Sequence, residues 1–383
     1  MSIPLLDALY EDNAKRQTSA LFRKLPLYSK EPVVDFSTNS YLALQTNTRI
    51  TEEALRVCGN KIYGNMASRL ISQSSPLYEQ LENELADWKG CESALLFNSG
   101  YAANTGIIQA VCDKKTEIFC DRLNHASIID GCILSGAKFI RYRHNDMKHL
   151  RQLLSESSSS HKLIITDTVF SMDGDAAPLQ DICELGQHFK CVVMVDEAHA
   201  TGIFGKNASG IVEESGTEEG VHIRVGTLSK AVAGLGGFFA GSSDIKTFLV
   251  NNARPLIYST GLPHSVLAYN IAAVRYIRNN PSIGKTLLEK AAQFRDALTS
   301  SGWDCMNCST QIVPVLTGSA ESALELSSFL KSNNVRVPAI RTPTVPKGKE
   351  RIRFSVHLGI EDEDMEQVVG IMGRYKNNTF FAS

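Results

Sequence analysis

The stretch Cys191-Val192-Val193-Met194-Val195-Asp196-Glu197-Ala198-His199 decides the class of fold. Its five apolar residues predict a strand that is buried on both faces, which is typical of parallel sheets covered by helices. Acidic and basic side chains follow directly where this strand ends. Because open α/β sheets bind ligands at the carboxyl ends of their strands, the residues after each apolar run are the candidates for a functional site.

Similar apolar runs alternate with helical patterns through the middle of the chain. We predict strands over Ser93–Phe97, Glu117–Asp121, Lys138–Tyr142, Lys162–Asp167, Cys191–Val195 and Ile223–Thr227. Helical spacing lies between them, over Tyr101–Val111, Met147–Leu154 and Pro178–His188. This alternation predicts an α/β fold with a mostly parallel central sheet and helices on both of its faces.

The pattern changes on either side of this central block. Residues 1–45 are interpreted as an N-terminal arm with one amphipathic helix, and residues 46–265 as the large domain. Residues 266–383 are predicted to form a smaller α+β domain, with strands near Gln311–Leu316 and Arg351–Val356.

Composition excludes several classes of protein. The 383 residues contain 39 Lys and Arg against 41 Asp and Glu, so no basic excess indicates nucleic acid or an anionic membrane as a partner. Residues 1–15 contain no apolar run that resembles a signal peptide, and the longest apolar runs have only the length of a strand. Cys305 and Cys308 form a Cys-x-x-Cys without a second pair, so we predict no metal site. These features together predict a cytoplasmic protein.

Polar clusters follow five of the predicted strands. They are Asn98–Tyr101, Asp121–His125, Asp167–Asp175, Asp196–His199 and Gly226–Lys230. A carboxylate such as Asp196 at the rim of a buried core needs a cationic partner, and Lys230 can supply one. That pairing is either an ordinary ion pair or a lysine bonded to a cofactor aldehyde, with a bound pyridinium facing Asp196. Five clusters at one sheet edge favour the cofactor interpretation.

These residues resemble known motifs. Val195–His199 together with Thr227–Lys230 resembles fold-type I enzymes that depend on pyridoxal 5′-phosphate (PLP). The resemblance narrows to the α-oxoamine synthase family through Phe36–Leu42, Ser68–Ser72, Asp121–Ser127 and Phe170–Asp175. Ala339–Pro346, followed by Arg351-Ile352-Arg353, looks most similar to the members of that family that act in biotin synthesis. The resemblance implies a mostly parallel seven-stranded sheet in the large domain.

The resemblance also implies roles for residues around the cofactor. Lys230 is the lysine that bonds to PLP, and a desolvated, cationic surrounding lowers the pKa of such a lysine. Asp196 pairs with the ring nitrogen, His125 stacks on the ring and His199 binds the 3′-oxygen. Ser171 approaches the cofactor. By this resemblance Lys230, His125, Asp196 and His199 are the catalytic residues.

Further residues are assigned to the phosphate and the substrates by the same resemblance. The phosphate is held by the backbone N–H groups of Gly100 and Tyr101 and by the side chain of Thr227. Without the resemblance, the segment around Gly100 is also compatible with a plain tight turn. Thr260 reaches in from a second subunit, which implies a homodimer with shared active sites. The residues assigned to substrate are Arg353 on the amino-acid carboxylate, and Asn39, Thr344 and Arg23; for Arg23, a solvated helix arginine is the alternative.

The implied reaction joins L-alanine to a pimeloyl thioester of coenzyme A or of an acyl carrier protein, with loss of carbon dioxide. Two alternatives remain at this point. One is another α-oxoamine synthase that uses glycine or serine, or makes an acyl-derived signalling molecule. The other is a non-catalytic partner subunit, which the presence of Lys230, Asp196, His125 and His199 together disfavours.

The chain departs from the family pattern at several positions. Asp167 stands where Glu is usual, Ala200 replaces a glycine, and the glycine-rich stretch before Ser68 is altered to Gly64-Asn65-Met66-Ala67, with Gln73 in place of a further glycine. We expect these changes to affect contact with the cofactor or the choice of substrate. Glycines at 234, 236 and 237 are predicted to let the chain after Lys230 pass close to the cofactor.

Overall fold

The computed structural model describes residues 3–19, 21–23, 25, 33–61, 63–72 and 75–380, with only the backbone given for 377–380. The strands in these ranges are β1 Val34–Asp35, β2 Ser93–Phe97, β3 Thr116–Asp121, β4 Lys138–Tyr142, β5 His161–Asp167, β6 Val192–Asp196, β7 Ile223–Thr227, β8 Gly237–Gly241, β9 Ile312–Leu316, β10 Val335–Arg336, β11 Ala339–Ile340 and β12 Arg351–Ser355.

The helices of the described ranges connect and cover these strands. They are α1 Pro4–Thr18, α2 Thr48–Cys58, α3 Pro76–Lys89, α4 Gly100–Val111, α5 Ala126–Ser135, α6 Met147–Glu156, α7 Leu179–His188, α8 Ile211–Glu214, α9 Ser243–Asn252, α10 Arg254–Ile257, α11 His264–Asn279, α12 Ser282–Ser300, α13 Ala320–Ser332 and α14 Asp362–Phe380. None of these described helices has the length and apolar character that crossing a lipid bilayer requires.

The larger of two compact units comprises residues 39–171 and 175–289. Its seven-stranded sheet has the order β2-β8-β7-β6-β5-β3-β4, and the predicted mostly parallel α/β sheet is confirmed. Only β8 runs antiparallel to its neighbours β2 and β7. The edge strand β2 and the central strand β7 are both buried along their whole length, as expected for a sheet covered on both faces.

The strand β8 was not among the strands predicted from the sequence. Gly237 and Gly241 flank its short apolar run, and this composition was interpreted only as a close passage of the chain. A close passage does occur, because a side chain at Gly237 would come within 2.5 Å of the Ser99 carbonyl oxygen. The glycine is therefore required where β8 passes beneath the loop before α4.

Local sequence signals explain how α3 begins and ends. The Ser75 side chain accepts a hydrogen bond from the N–H of Leu77, and Pro76 occupies the first turn. Gly90 ends the helix with a left-handed φ of 61°. This helix covers β2, and its apolar face is buried, including Leu81 and Leu85.

The smaller unit comprises residues 1–38, 172–174 and 290–383. It contains an antiparallel sheet of order β11-β12-β9 and a parallel pair of β1 with β10. Phe36 lies in a cluster with Phe294 and Phe354, with ring centroids 5.1–5.3 Å apart. These aromatic contacts explain why the segment before residue 39 groups with the C-terminal residues.

The two units are divided differently from the arm and two domains predicted from the sequence. Residues 33–38 pair with β10 and β12 instead of standing apart as an arm, while α11 packs against α2 and α3 of the larger unit. The helix α1 forms as expected, but every one of its residues is exposed. The pairing partners of these segments are hundreds of residues away in sequence, so local patterns could not assign them.

Candidate active site

The candidate site lies at the carboxyl ends of the parallel strands in the larger unit. Asp196 is the last residue of β6, and Thr227 is the last residue of β7. Asp167 ends β5 and pairs in register with Asp196. The parallel arrangement brings these strand ends to one edge, as the sequence predicted, because parallel neighbours end on the same side of a sheet.

Lys230 is part of a chain of polar contacts that passes through His199. The Nζ atom of Lys230 lies 2.8 Å from His199 Nε2, and His199 Nδ1 lies 2.7 Å from the hydroxyl of Tyr41. The Tyr41 hydroxyl donates to Asn39 Oδ1 at 3.1 Å, although its side chain is fully buried. Two predicted site residues, Lys230 and His199, are therefore in direct contact, and Tyr41 fixes the far side of the imidazole.

Asp196 is fixed by hydrogen bonds at both carboxylate oxygens. One oxygen accepts from the N–H of Ala198 at 2.7 Å, and the other accepts from Asn104 Nδ2 at 2.6 Å. Asn104 Nδ2 also donates to Ser127 Oγ at 2.9 Å, and Ser127 Oγ lies 2.8 Å from His125 Nδ1. Asp196 is 5% exposed, so its orientation is set by these donors and not by solvent.

His125 lies at the start of α5, with part of its ring open to solvent. Desolvation by the surrounding protein lowers the pKa of His125; Asp196 opposes this effect and Lys230 adds to it. A neutral imidazole with an accessible face is compatible with the stacking role that the resemblance implies.

Asp167 has a structural partner on the same edge. Its Oδ2 accepts the backbone N–H of His125 at 2.7 Å, and its own N–H donates to Asn124 at 2.9 Å. Burial and the neighbouring Asp196 raise the pKa of Asp167 well above its usual value. In this chain, the shorter Asp therefore holds the backbone at His125.

The predicted phosphate end is formed by the loop before α4 and the end of β7. A Cβ on Gly100 would lie 3.4 Å from the Cβ of Thr227, so these two predicted residues are adjacent. The Thr227 hydroxyl lies 2.7 Å from that of Ser229. Gly100 and Tyr101 open a helix of twelve residues, and the first N–H groups of a helix have no partner within it and can bind an anion.

Thr260 is exposed on the same side of the larger unit. Its carbonyl accepts a hydrogen bond from Asn98 Nδ2 at 2.7 Å, just before Gly100. The proposed contact of Thr260 with a second subunit stays a prediction. Ser171 ends the first segment of the larger unit and is partly buried.

Three predicted substrate residues belong to the smaller unit, whereas Asn39 belongs to the larger one. Arg23 Nη2 donates to the Thr344 hydroxyl at 3.3 Å, so two of them are in contact although 321 residues separate them. Arg353 is buried on β12, and its Nη1 donates to Ser355 at 2.6 Å. Gln73 lies outside the described residues.

Several polar residues at the site were not predicted from the sequence. Tyr41, Asn104, Ser127 and Ser229 make the contacts described above, but none of them was assigned a role, although Ser127 and Ser229 lie within the quoted motifs Asp121–Ser127 and Thr227–Lys230. Tyr41 lies within the motif Phe36–Leu42, which was quoted for the resemblance without assigning this residue a role. Tyr41 and Asn104 meet their partners, His199 and Asp196, across 158 and 92 residues of sequence, so no local spacing identifies these two contacts.

The donor set fits PLP. Lys230 is an amine for the aldehyde, Asp196 is a fixed carboxylate for the ring nitrogen, and His199, held by Tyr41, supplies a polar ring next to the Lys230 amine. The helix N-terminus at Gly100, which is adjacent to Thr227, offers the N–H donors that a phosphate needs. Each chemical part of the cofactor thus has a matching group at this sheet edge.

Comparison with known proteins agrees with this fit. A family model described as aminotransferase class I and II matches residues 31–371. An 8-amino-7-oxononanoate synthase from Geobacter sulfurreducens is 42% identical over 345 residues, which cover 89% of this chain and 88% of the relative.

Two solved structures share the architecture. A serine palmitoyltransferase variant from S. paucimobilis with PLP and myriocin bound has a TM-score of 0.90 and 26% identity, covering 97% of both chains. The 8-amino-7-oxononanoate synthase from Francisella tularensis has a TM-score of 0.77 and 26% identity, covering 91% of this chain and 99% of the other.

The fold and the site define a PLP-dependent enzyme of fold type I, so the predicted fold class and cofactor are confirmed. Within that class, the named relatives are specific. The chain belongs to the 8-amino-7-oxononanoate synthase family.

Proposed function

We propose that this enzyme condenses L-alanine with a pimeloyl thioester and releases 8-amino-7-oxononanoate, carbon dioxide and the free thiol of coenzyme A or of the acyl carrier protein, in a step of biotin synthesis. The observation that carries the proposal is the contact between Lys230 and His199 beside the fixed carboxylate of Asp196, in a chain 42% identical to a named synthase. When bound, PLP supplies an electron sink for the carbanion at the amino-acid Cα.

We assign the proton transfers to Lys230 and its neighbours. Its Nζ removes and later returns the Cα proton, and the contact with His199 Nε2 keeps this amine oriented at the sheet edge. Tyr41 holds the imidazole from its Nδ1 side, so the ring cannot turn away. Asp196 keeps a proton on the cofactor ring nitrogen, because its two fixed oxygens favour a positive charge opposite them.

We assign the substrate carboxylates to the arginines of the smaller unit. Arg353 suits the α-carboxylate of the amino acid, since a guanidinium binds a carboxylate through two parallel hydrogen bonds. Arg23, which contacts Thr344, supplies a further cation for an acyl chain that ends in a carboxylate. Asn39, on the larger unit, is assigned to substrate as well.

We further propose a homodimer in which Thr260 contributes to the neighbouring active site. Exposed apolar side chains on the larger unit support an interface there, including Tyr63, Met66, Ile71 and Tyr258. Light scattering of the holoenzyme tests the assembly, and a monomer at micromolar concentration would contradict it. Loss of PLP affinity in Thr260→Ala, at an unchanged oligomeric state, would support the shared site.

The decisive experiment measures thioester-dependent release of carbon dioxide. The purified holoenzyme is supplied with alanine, glycine or serine, and with pimeloyl or palmitoyl thioesters of coenzyme A. We expect the combination of alanine and pimeloyl to give the highest kcat/KM, and an acyl carrier protein thioester shows which carrier is preferred. Lys230→Ala is the matched control, and it should neither release carbon dioxide nor exchange the Cα proton of alanine.

A serine-specific acyltransferase is the second candidate function. The high TM-score to serine palmitoyltransferase favours it, although the identity of 26% is well below that to the named synthase. A higher kcat/KM for serine with palmitoyl thioester than for alanine with pimeloyl thioester would establish this candidate and contradict the first.

A further inference from the structure

A buried ion pair lies directly behind the candidate site in the larger unit. The Nζ atom of Lys89, the last residue of α3, lies 2.8 Å from Glu197 Oε2, the residue that follows β6. Both side chains are 1% exposed. Removing two charges from water is costly, and a buried ion pair is often no more stabilising than apolar residues of the same size. Its presence therefore calls for a role other than stability.

The three N–H donors of the Lys89 ammonium all have acceptors. Besides Glu197, the ammonium donates to the Thr201 hydroxyl at 2.9 Å and to the carbonyl oxygen of Ser209. A lysine with every donor satisfied has one position only. Lys89 thus joins the end of α3 to two points of the loop that follows β6.

Glu197 is fixed at every polar group as well. Its Oε1 accepts the N–H of Val212 at 3.0 Å, and its own N–H donates to the Val225 carbonyl at 2.7 Å. Its carbonyl accepts from the N–H groups of Ala200 and Thr201 at 2.9 and 2.8 Å. At Gly210, any side chain would collide with the Glu197 carboxylate, so the surrounding chain leaves room for this group.

Glu197 stands between the two residues that face the cofactor. Asp196 precedes it, and His199 follows two residues later, on the turn that Glu197 closes through its carbonyl. We propose that Lys89 and Glu197 are positioning residues, which lock the turn 196–201 so that Asp196 and His199 hold their places at the PLP site. Neither residue is assigned a contact with substrate or cofactor. The proposal rests on the PLP-binding roles of Asp196 and His199, and not on the choice of acyl substrate.

Equilibrium binding of PLP to the apoenzyme tests this role, followed by visible absorbance and visible circular dichroism. The variants are Glu197→Gln, Lys89→Met and the double variant Lys89→Met with Glu197→Leu. Glu84→Gln is the matched control, since Glu84 also lies on α3 and forms an ion pair at 2.6 Å, but its partner is Arg275 on α11 and not a residue of the turn 196–201. Far-ultraviolet circular dichroism and thermal unfolding report on folding.

We expect the single variants to raise the dissociation constant of PLP about tenfold and to weaken the visible circular dichroism of the bound cofactor. Glu84→Gln should change the dissociation constant and the circular dichroism by less than twofold. The double variant should regain thermal stability without regaining PLP affinity, since apolar residues replace the pair energetically but cannot fix the turn.

Wild-type PLP affinity and visible spectrum in the folded double variant would overturn the proposal. If the double variant does not fold, the same result in Glu197→Gln, which keeps the shape of the side chain, would overturn it. These measurements use no amino-acid or acyl substrate, so a wrong substrate assignment would leave their outcome unchanged.

Discussion

Two histidines at the same sheet edge lie in opposite chemical surroundings. His144 follows β4, and its Nδ1 and Nε2 lie 3.1 Å from Asp121 and 2.8 Å from Asp175. His199 follows β6 and contacts a hydroxyl and an amine, those of Tyr41 and Lys230. A ring between two carboxylates is held as a cation, whereas a ring between a hydroxyl and an amine can pass or share a proton. Residue type and place in the fold are therefore not enough to identify a catalytic histidine.

The surroundings of His144 have a measurable consequence. Burial lowers its pKa, but hydrogen bonds to Asp121 and Asp175 outweigh this effect and raise the pKa to about 10. Asn145 adds to the cluster, because its N–H donates to Asp121 at 2.9 Å and its amide to Asp175 at 3.1 Å. This cluster ties the end of β3 to the segment after Phe170, and we interpret it as structural.

The largest expected effect is a difference in activity between variants of His199 and His144. His199→Gln should lower kcat by about a hundredfold or more, because the group next to the Lys230 amine can no longer take part in proton transfer. The thermal midpoint of the variant should stay near that of the wild type. Steady-state kinetics of carbon dioxide release measure the effect, with His144→Gln, expected to lose less than tenfold, as the control. Equal losses of kcat in the two variants would contradict a difference in function between His199 and His144.

The second prediction distinguishes His144 from His199 by their contributions to the free energy of unfolding. His144→Gln should lower the free energy of unfolding by about 2 kcal/mol, since Asp121 is left buried with a neutral partner in place of a cation. Calorimetry or urea unfolding of the apoenzyme, which avoids the contribution of the cofactor, measures the change. His199→Gln is the control here. A loss below the experimental error would contradict the structural role of His144.

The dependence of stability on pH tests whether His144 is protonated in the folded protein. A histidine with a folded-state pKa of about 10 and an ordinary unfolded value near 6.5 stabilises the fold fully below about pH 6.5, and it loses this contribution as pH rises towards and through 10. The difference in stability between wild type and His144→Gln should therefore shrink between pH 6.5 and pH 10. A difference that stays constant or grows over this range would exclude a protonated His144.

The smallest effect concerns the hydroxyl behind His199. Tyr41→Phe removes the hydrogen bonds of this hydroxyl with His199 Nδ1 and with Asn39 Oδ1. Loss of the contact with His199, worth about 1 kcal/mol, should lower kcat about fivefold. Stopped-flow exchange of the Cα proton measures the step concerned. Tyr142→Phe is a matched control, because that hydroxyl is buried in the same unit and contacts neither histidine in the described structure. No difference between the two variants would show that Tyr41 is only a packing residue.

The sequence predicted the sheet well because buried parallel strands are continuous apolar runs. Ser93–Phe97, Lys138–Tyr142 and Ile223–Thr227 agree with the structure at both ends, and the run at Cys191–Val195 is shifted by one residue. The strand β8 was missed because glycines flank its short apolar run. Gly237 is required by its close contact with the loop at Ser99, and this contact can be recognised only in the structure.

The positions of the candidate site residues were predictable where polar side chains follow a strand end. Lys230, His199 and Asp196 were placed by this rule and the resemblance, and the first two are in contact. Asn104 and Tyr41 were not predicted, because each meets its partner across 92 and 158 residues of sequence respectively. Such contacts depend on helix packing and on the course of the N-terminal segment, neither of which a local pattern encodes.

The reversed direction of β8 gives the connection before it a fixed length. Thr227 at the end of β7 pairs in register with Gly237 at the start of β8, and the chain between them closes on itself where Leu228 donates its N–H to the Gly236 carbonyl at 2.9 Å. Lys230 lies inside this closed turn, and Gly237 supports the loop that begins α4. An insertion or deletion between residues 228 and 236 would displace both Lys230 and the loop that begins α4, so natural variation in length should be absent there while neighbouring surface loops tolerate it.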